Sequence, residues 1–224
     1  MRHWDWSGMV EANRGRLLRL LAGLVALLGP GPVVSRRAWR RILVSLVPVE
    51  SAARRLVFVM ARDLVAAVPS ARRRESGART RGGAPRRPVF ALTDRPRIPD
   101  PPPRRCPERH APRVSFPDEW VPRAAVPGPC EDDPLDAAAL RRRMEALGAA
   151  LADLPAQAAR LARWRARNAR AREAGTWARV HPLRTGRPPG HRERRRRPAH
   201  ALLADCHDLA VRCLRMTERE ARGG

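Results

Sequence analysis

The chain has 224 residues, of which 46 are basic and 22 acidic, and its formal net charge is +24. Every basic residue is arginine, because the sequence contains no lysine. The 23 prolines and 15 glycines leave too little foldable chain for a large enzyme built on a single core. The twofold excess of base over acid predicts an anionic partner, which would be lipid, nucleic acid or an acidic protein.

Composition divides the chain into three regions. We predict a mainly α protein with apolar N-terminal helices in residues 1–68, a disordered linker rich in proline and arginine in 69–132, and a basic antiparallel helical hairpin in 133–224. Fifteen of the 23 prolines lie between residues 69 and 134, and such a segment buries too little apolar surface to fold by itself. The short apolar run Val89-Phe90-Ala91-Leu92 inside it is either a residual hydrophobic piece or a docking motif for a partner or for the protein's own helices.

The first predicted helix runs from a cap at Ser7 to about Leu28, where Gly29-Pro30-Gly31-Pro32 ends or kinks it. From Leu17 onwards it is apolar nearly all round, except at Arg19. This apolar stretch rises about 18 Å, which is less than the roughly 30 Å hydrocarbon core of a bilayer. Three interpretations follow: a buried core helix, an interfacial or re-entrant segment, or a span extended through the prolines. The expected membrane-contacting residues are Trp4, Trp6, Leu17, Leu20, Leu21, Leu24, Leu27 and Leu28.

Two further helices are predicted in the N-terminal region. One begins near Ser35, and a second is capped near Ser51. The apolar stripe of the latter places Arg54 and Arg55 on the opposite, polar face.

The C-terminal region shows two heptad-like seams. Asp133 is predicted to cap a helix with Pro134 at its first position, and Pro155 either kinks that helix or opens a second one. Its apolar seam consists of Leu140, Met144, Leu147, Leu151, Leu154, Ala158 and Leu161. A final helix from about Pro198 repeats the pattern with Leu202, Cys206, Leu209, Cys213 and Met216. Two matching seams predict an antiparallel helical pair within the chain or a homodimer.

The positive charge is concentrated in residues 160–197, which contain 14 arginines and only two acidic residues. Gly186-Arg187-Pro188 with flanking arginines resembles the AT-hook, whose extended peptide lies in the minor groove of A·T-rich DNA. The alternative is a solvated basic loop. The expected contacts to an anionic partner are Arg160, Arg163, Arg167, Arg170, Arg184, Arg187, Arg192, Arg194, Arg195, Arg196 and Arg197.

The sequence contains no nucleophile elbow, phosphate-binding loop, dinucleotide fingerprint or zinc-protease helix, so we expect a non-enzymatic protein without a cofactor or metal. Cys206 and Cys213 lie too far apart on one helix face to share a metal. Cys106 and His110 have a spacing that could supply two ligands, but no paired cysteine unit accompanies them. The scattered cysteines predict a reducing compartment, which is the cytoplasm or the cytoplasmic face of the inner membrane.

Three segments carry a resemblance: residues 161–167 (LARWRAR), 182–192 (PLRTGRPPGHR) and 204–210 (ADCHDLA). They resemble a family of bacterial proteins that has no assigned function, which implies a bacterial, reduced setting but no activity. Two functions therefore stay open. One is a membrane-associated protein that presents its arginine-rich region to an anionic partner, and the other is a soluble nucleic-acid-binding protein with an AT-hook-like loop.

Overall fold

The predicted mainly α class is confirmed by a computed structural model of the chain. The residues it describes are 5–64, 88–94, 130–176, 181–183, 186–194 and 197–223. Within them the elements are α1 (Trp6–Leu28), β1 (Val33–Ser35), α2 (Arg36–Met60), β2 (Pro134–Asp136), α3 (Ala138–Ala152), α4 (Leu154–Glu173) and α5 (Pro198–Gly223). Most of the predicted linker lies outside the described residues.

Helix α2 is the centre of the described part of the fold, because each of the other four helices found there packs against it. One hydrophobic cluster takes side chains from each of α1 to α5 and joins the N-terminal and C-terminal regions of the sequence. Fully buried members include Leu17 of α1, Ile42 of α2, Leu147 of α3, Leu161 of α4 and Leu203 of α5. Both predicted seams are largely buried in this cluster, against helices of the same chain.

Helix α1 ends where the sequence predicts, at Leu28, because Gly29 adopts a φ of +68° that favours glycine. Its cap is Asp5 rather than Ser7, and the Asp5 carboxylate accepts a hydrogen bond from the Gly8 N–H at 2.8 Å. The turn after α1 is held by Arg141 of α3, which donates to the carbonyls of residues 29–31.

Helix α2 is continuous, so the predicted helix start near Ser51 is wrong. Ser35 caps it as predicted, with its hydroxyl accepting from the Ala38 N–H. The pattern around residue 51 looks like a new helix because a second apolar stripe begins there, but the backbone continues through Pro48 without a break.

Pro48 inside α2 lacks the N–H that would bond the Val44 carbonyl. His200 of α5 is buried beside the Val44 backbone, and burial lowers the pKa of its imidazole. Gly190, with φ of +81°, also lies against the same proline, and a Cβ there would stand 2.8 Å from the Pro48 nitrogen. The turn of α2 that contains Pro48, where one backbone hydrogen bond is missing, is therefore the place where α5 and the 186–194 loop dock.

The predicted cap at Asp133 is also wrong, because the following residues form β2 and pair antiparallel with β1. Asp133 instead accepts the Arg36 N–H through its carbonyl at 2.9 Å and pairs with the Arg36 guanidinium at 3.2 Å. The side chain at the start of α3 that accepts a backbone N–H is Asp136, which bonds Ala138 at 2.8 Å. The two short strands thus join the start of α2 to the start of α3.

Pro155 opens a second helix, which is one of the two predicted outcomes. Asp153 caps α4 by accepting from the Ala156 N–H at 3.0 Å, and Pro155 occupies the first turn, where its missing N–H costs nothing. Helix α5 begins at Pro198 as predicted.

Candidate anion-binding surface

Helix α4 presents one basic face. Its apolar side, with Leu154, Ala158 and Leu161, is buried in the core and so fixes which side points outward. The outward positions are three or four residues apart and share one face: Arg160, Arg163, Arg167 and Arg170. They span about 15 Å along the helix axis.

Three of these four arginines are available to bind an anion. Arg163, Arg167 and Arg170 are exposed, and within the described part of the chain none of them forms an ion pair or hydrogen bond. Arg170 also lies in the last turn of α4, where the helix dipole favours a cation. The surface therefore carries three charges, on one fixed helix, that no described residue compensates.

Two other arginines of α4, Arg160 and Arg165, make contacts within the protein. Arg160 is half-buried and donates a hydrogen bond to Gln157, and burial, followed by the charge of Arg163, lowers its pKa. Arg165 lies 4.6 Å above the Phe58 ring and donates to the Ala61 carbonyl at 2.9 Å, and burial lowers its pKa as well. Arg165 thus fastens α4 to the end of α2.

A cleft of about 510 Å³ lies between α4 and the 88–94 segment. Arg160, Arg163, Trp164 and Arg167 line one side, and residues 89–93 line the other. Trp164 is half-buried and packs partly on the core. Its indole N–H has no hydrogen-bond acceptor among the described residues.

The 88–94 segment docks on the protein's own helices, which is one of the alternatives that the sequence left open. Phe90 is buried in the core, and the Arg54 guanidinium lies 5.6 Å from its ring centroid. Arg54 also donates to the Ala91 carbonyl at 3.0 Å, and the Asp94 N–H donates to the Pro182 carbonyl at 2.9 Å. The segment is therefore anchored from both sides.

A buried ion network anchors the end of that segment. Arg55 and Asp94 are both 0% exposed, and Arg55 Nη2 lies 3.2 Å from Asp94 Oδ2. Arg55 also donates to Ser51 and to Nδ1 of His207 on α5. Burial lowers the pKa of Arg55, and the charge of Asp94 acts in the opposite direction.

The network extends to α3 through Arg54. Its Nη1 lies 3.4 Å from Asp94 Oδ1, and its Nη2 lies 3.6 Å from Glu50 Oε2. Arg143 of α3 donates two hydrogen bonds of 2.9 Å to the carboxylate of the same glutamate.

The predicted placement of Arg54 and Arg55 on a polar face is thus wrong, because both side chains are buried, where Asp94 pairs with each of them and Glu50 also pairs with Arg54. The spacing of Glu50 and Arg54 is the one local signal of this network.

The AT-hook-like stretch packs on the protein itself. Pro188 is buried, and the His191 N–H donates to the Pro188 carbonyl at 3.0 Å, so the chain turns there. Arg187 pairs with Glu193 at 2.8 Å on the surface. Arg192 and Arg194 are exposed.

At the end of this basic stretch, Arg197 is exposed, and its Nη1 lies 3.5 Å from the Arg41 carbonyl. Arg184, Arg195 and Arg196 lie outside the described residues.

Half of the expected membrane-contacting side chains are core residues. Leu17, Leu21, Leu24 and Leu28 are buried against the other helices, so they cannot face a lipid surface in this fold. Along the described part of the chain, no helix combines the length and apolarity that a membrane span requires.

The other four candidates differ from one another. Leu20 is half-buried and packs on the core, and Leu27 is exposed. Trp6 is half-buried, with the Arg62 guanidinium 5.3 Å from its ring centroid. Trp4 lies outside the described residues.

Cys206 and Cys213 are buried core thiols, and burial, followed by the charge of Asp205, raises the pKa of Cys206 to about 12. No group of three metal-ligating side chains occurs in the described ranges. Cys106 and His110 are outside them.

No protein-family model matches the chain, and neither a curated protein nor a solved structure shows significant similarity to it.

Proposed function

We propose that this protein acts by binding nucleic acid, without catalysis, and that the exposed face of α4 contacts the phosphates. The observation that carries the proposal is the set Arg163, Arg167 and Arg170, which are exposed on one helix face and unpaired within the described residues. Arginines held in this way gain much from a polyanion, because binding releases the counterions that surround it.

The distribution of apolar residues on α4 favours nucleic acid over a membrane. A helix that lies in a bilayer interface needs an exposed apolar face beside its basic one. The apolar face of α4 is already buried in the core, so it cannot insert into a bilayer interface. Exposed Arg192 and Arg194 in the neighbouring loop add to the positive field.

The test is the salt dependence of binding to labelled single-stranded and duplex oligonucleotides, measured by fluorescence anisotropy with the full chain. Log affinity falls as log salt rises, and the variant Arg163→Gln, Arg167→Gln, Arg170→Gln should make this negative slope shallower by about 2 to 3. Each lost phosphate contact reduces the magnitude of the slope by about 0.7 to 0.9.

The matched control removes the same charge elsewhere. Arg19, Arg142 and Arg219 are exposed on α1, α3 and α5, and no described residue pairs with them. The triple glutamine variant at these positions should keep most of the salt slope. Equal losses in the two triple variants would show that net charge alone, rather than the α4 face, determines binding.

The second candidate is a membrane-associated protein that presents its arginines to an anionic partner. It is supported by three exposed apolar residues of α1, Leu18, Val25 and Leu27, of which Leu18 and Val25 share one side of the helix. Sedimentation with vesicles of anionic and of neutral lipid tests it. Binding that survives high salt and is lost in a Leu18→Ser, Val25→Ser variant would favour this candidate over nucleic acid.

A further inference from the structure

The cleft beside α4 has two walls of different chemistry. The α4 wall carries Arg163 and Arg167 on either side of Trp164 in the sequence. The opposite wall, residues 89–93, has no charged side chain, and Val89 on it is 71% exposed. A ligand in this cleft therefore meets positive charge from one side and a neutral surface from the other.

The neutral wall is fixed before any ligand arrives. Phe90 is inserted in the core, and Asp94 at the end of the segment is fully buried in ion pairs with Arg54 and Arg55. A site whose walls are already ordered loses less conformational entropy when it binds.

The cleft volume of about 510 Å³ suits a small planar group rather than a double helix. Proteins that bind single strands combine a basic groove for the backbone with aromatic side chains on which bases stack. Trp164 is the aromatic residue of this kind on the α4 wall, and the phosphates on either side of a base would meet Arg163 and Arg167.

We propose that this cleft binds single-stranded nucleic acid, with one base inserted between the two walls and stacked on Trp164. This inference rests on the proposed nucleic-acid function and names its substrate class. A duplex is excluded from the cleft because its bases are already stacked and paired.

The first experiment separates base contacts from phosphate contacts. The full chain is titrated with a short oligoadenosine DNA and with an abasic strand that has the same number of phosphates. Stacking of one base predicts that the base-containing strand binds more tightly, by about five-fold to 150-fold.

The second experiment assigns this difference to Trp164. Trp164→Leu should bring the affinity for oligoadenosine close to that of the abasic strand and leave abasic binding unchanged. Trp164→Phe retains an aromatic ring and should keep part of the difference. A merely structural role of Trp164 predicts an equal loss for both strands.

A third variant tests the cleft without altering the core. Val89→Glu introduces a carboxylate on the exposed neutral wall and should weaken single-strand binding at least about five-fold through repulsion of the phosphates. Val33→Glu is the matched control, because Val33 is 56% exposed on β1 and does not line the cleft. Equal effects of the two substitutions would overturn the placement of the strand.

The stacking site and the proposed nucleic-acid function can be refuted separately. If the base-containing and abasic strands bind equally, the stacking site is refuted while phosphate binding by α4 stands. Absence of binding to any single strand or duplex at low salt would refute the proposed function and the inference together.

Discussion

Substitution of Asp94 should test whether the buried ion network holds the fold together. Asp94 is the carboxylate partner of Arg55 within the described residues, and both side chains are 0% exposed. In Asp94→Ala, Arg55 keeps only neutral acceptors, on Ser51 and His207. Breaking a buried pair in this way costs about 3 to 5 kcal/mol, because the charge that stays behind is uncompensated.

The size of the effect follows from Arg55 rather than from Arg54. Arg54 loses its contact to Asp94 at 3.4 Å but retains Glu50 at 3.6 Å and the Ala91 carbonyl. Since a domain is stable by about 5 to 15 kcal/mol, the substitution should remove a large part of the free energy of unfolding.

The assay is urea unfolding of the full chain, followed by far-UV circular dichroism. Asp63→Ala is the control, because Asp63 is an exposed partner of Arg62 and should cost less than about 1 kcal/mol. The double variant Asp94→Ala, Arg55→Met should recover at least about 1 kcal/mol of the loss, since it removes the stranded charge. A loss below about 1 kcal/mol in Asp94→Ala, or no recovery in the double variant, would refute the reasoning.

Three further predictions concern titration, reactivity and backbone strain. Burial, followed by the charge of Arg55, lowers the pKa of His207, so the unfolded chain takes up a proton below about pH 6.5 while the folded chain resists it. Stability should fall as the pH drops from about 7 to 5, and His207→Gln should reduce that fall in thermal melts. In native alkylation followed by mass spectrometry, the exposed Cys130 should react, whereas Cys206, buried and with its pKa raised to about 12, should be protected. Gly190→Ala should cost at least about 1 kcal/mol in urea unfolding, because it adds a Cβ to a left-handed residue that already touches α2.

Each of these has an internal comparison. The other groups that influence His207 are Asp208, His191 and Asp94, so an unchanged pH profile in His207→Gln would assign the acid sensitivity to another group. Labelling of Cys206 at the rate of Cys130 would contradict its burial. Gly175 has a similar φ of +71° but open space around it, so Gly175→Ala should be less damaging than Gly190→Ala. Equal costs would show that the contact with α2 contributes nothing.

Much of the helical organisation could be predicted from local sequence. The end of α1 at Leu28, the cap of α2 at Ser35 and the start of α5 at Pro198 follow from glycine, serine and proline, whose effects act within one helical turn. The same holds for the buried seam of α3 and α4, because its periodicity is a property of the helix itself. The local rule was insufficient near Ser51 and at Asp133, where it predicted caps, because α2 continues past residue 51 and the residues after Asp133 pair with β1.

The candidate site was predictable only in part. Helical spacing alone was enough to group Arg160, Arg163, Arg167 and Arg170, because residues three or four apart share a face. The neutral wall of the cleft was not predictable, because the sequence of residues 89–93 does not indicate which helix they contact.

By itself, then, the sequence determined that the chain is helical, where most helices begin or end, and that one helix carries a row of arginines. Only the tertiary structure decided which charges are buried and which are free. Arg54 and Arg55 have the local pattern of surface residues, yet they are buried, because Asp94, about forty positions along the chain, pairs with both and Glu50 also pairs with Arg54. A charge can leave water only when a partner meets it. Whether a partner of opposite charge lies close enough depends on how the whole chain packs, not on the residues next to the charge in the sequence.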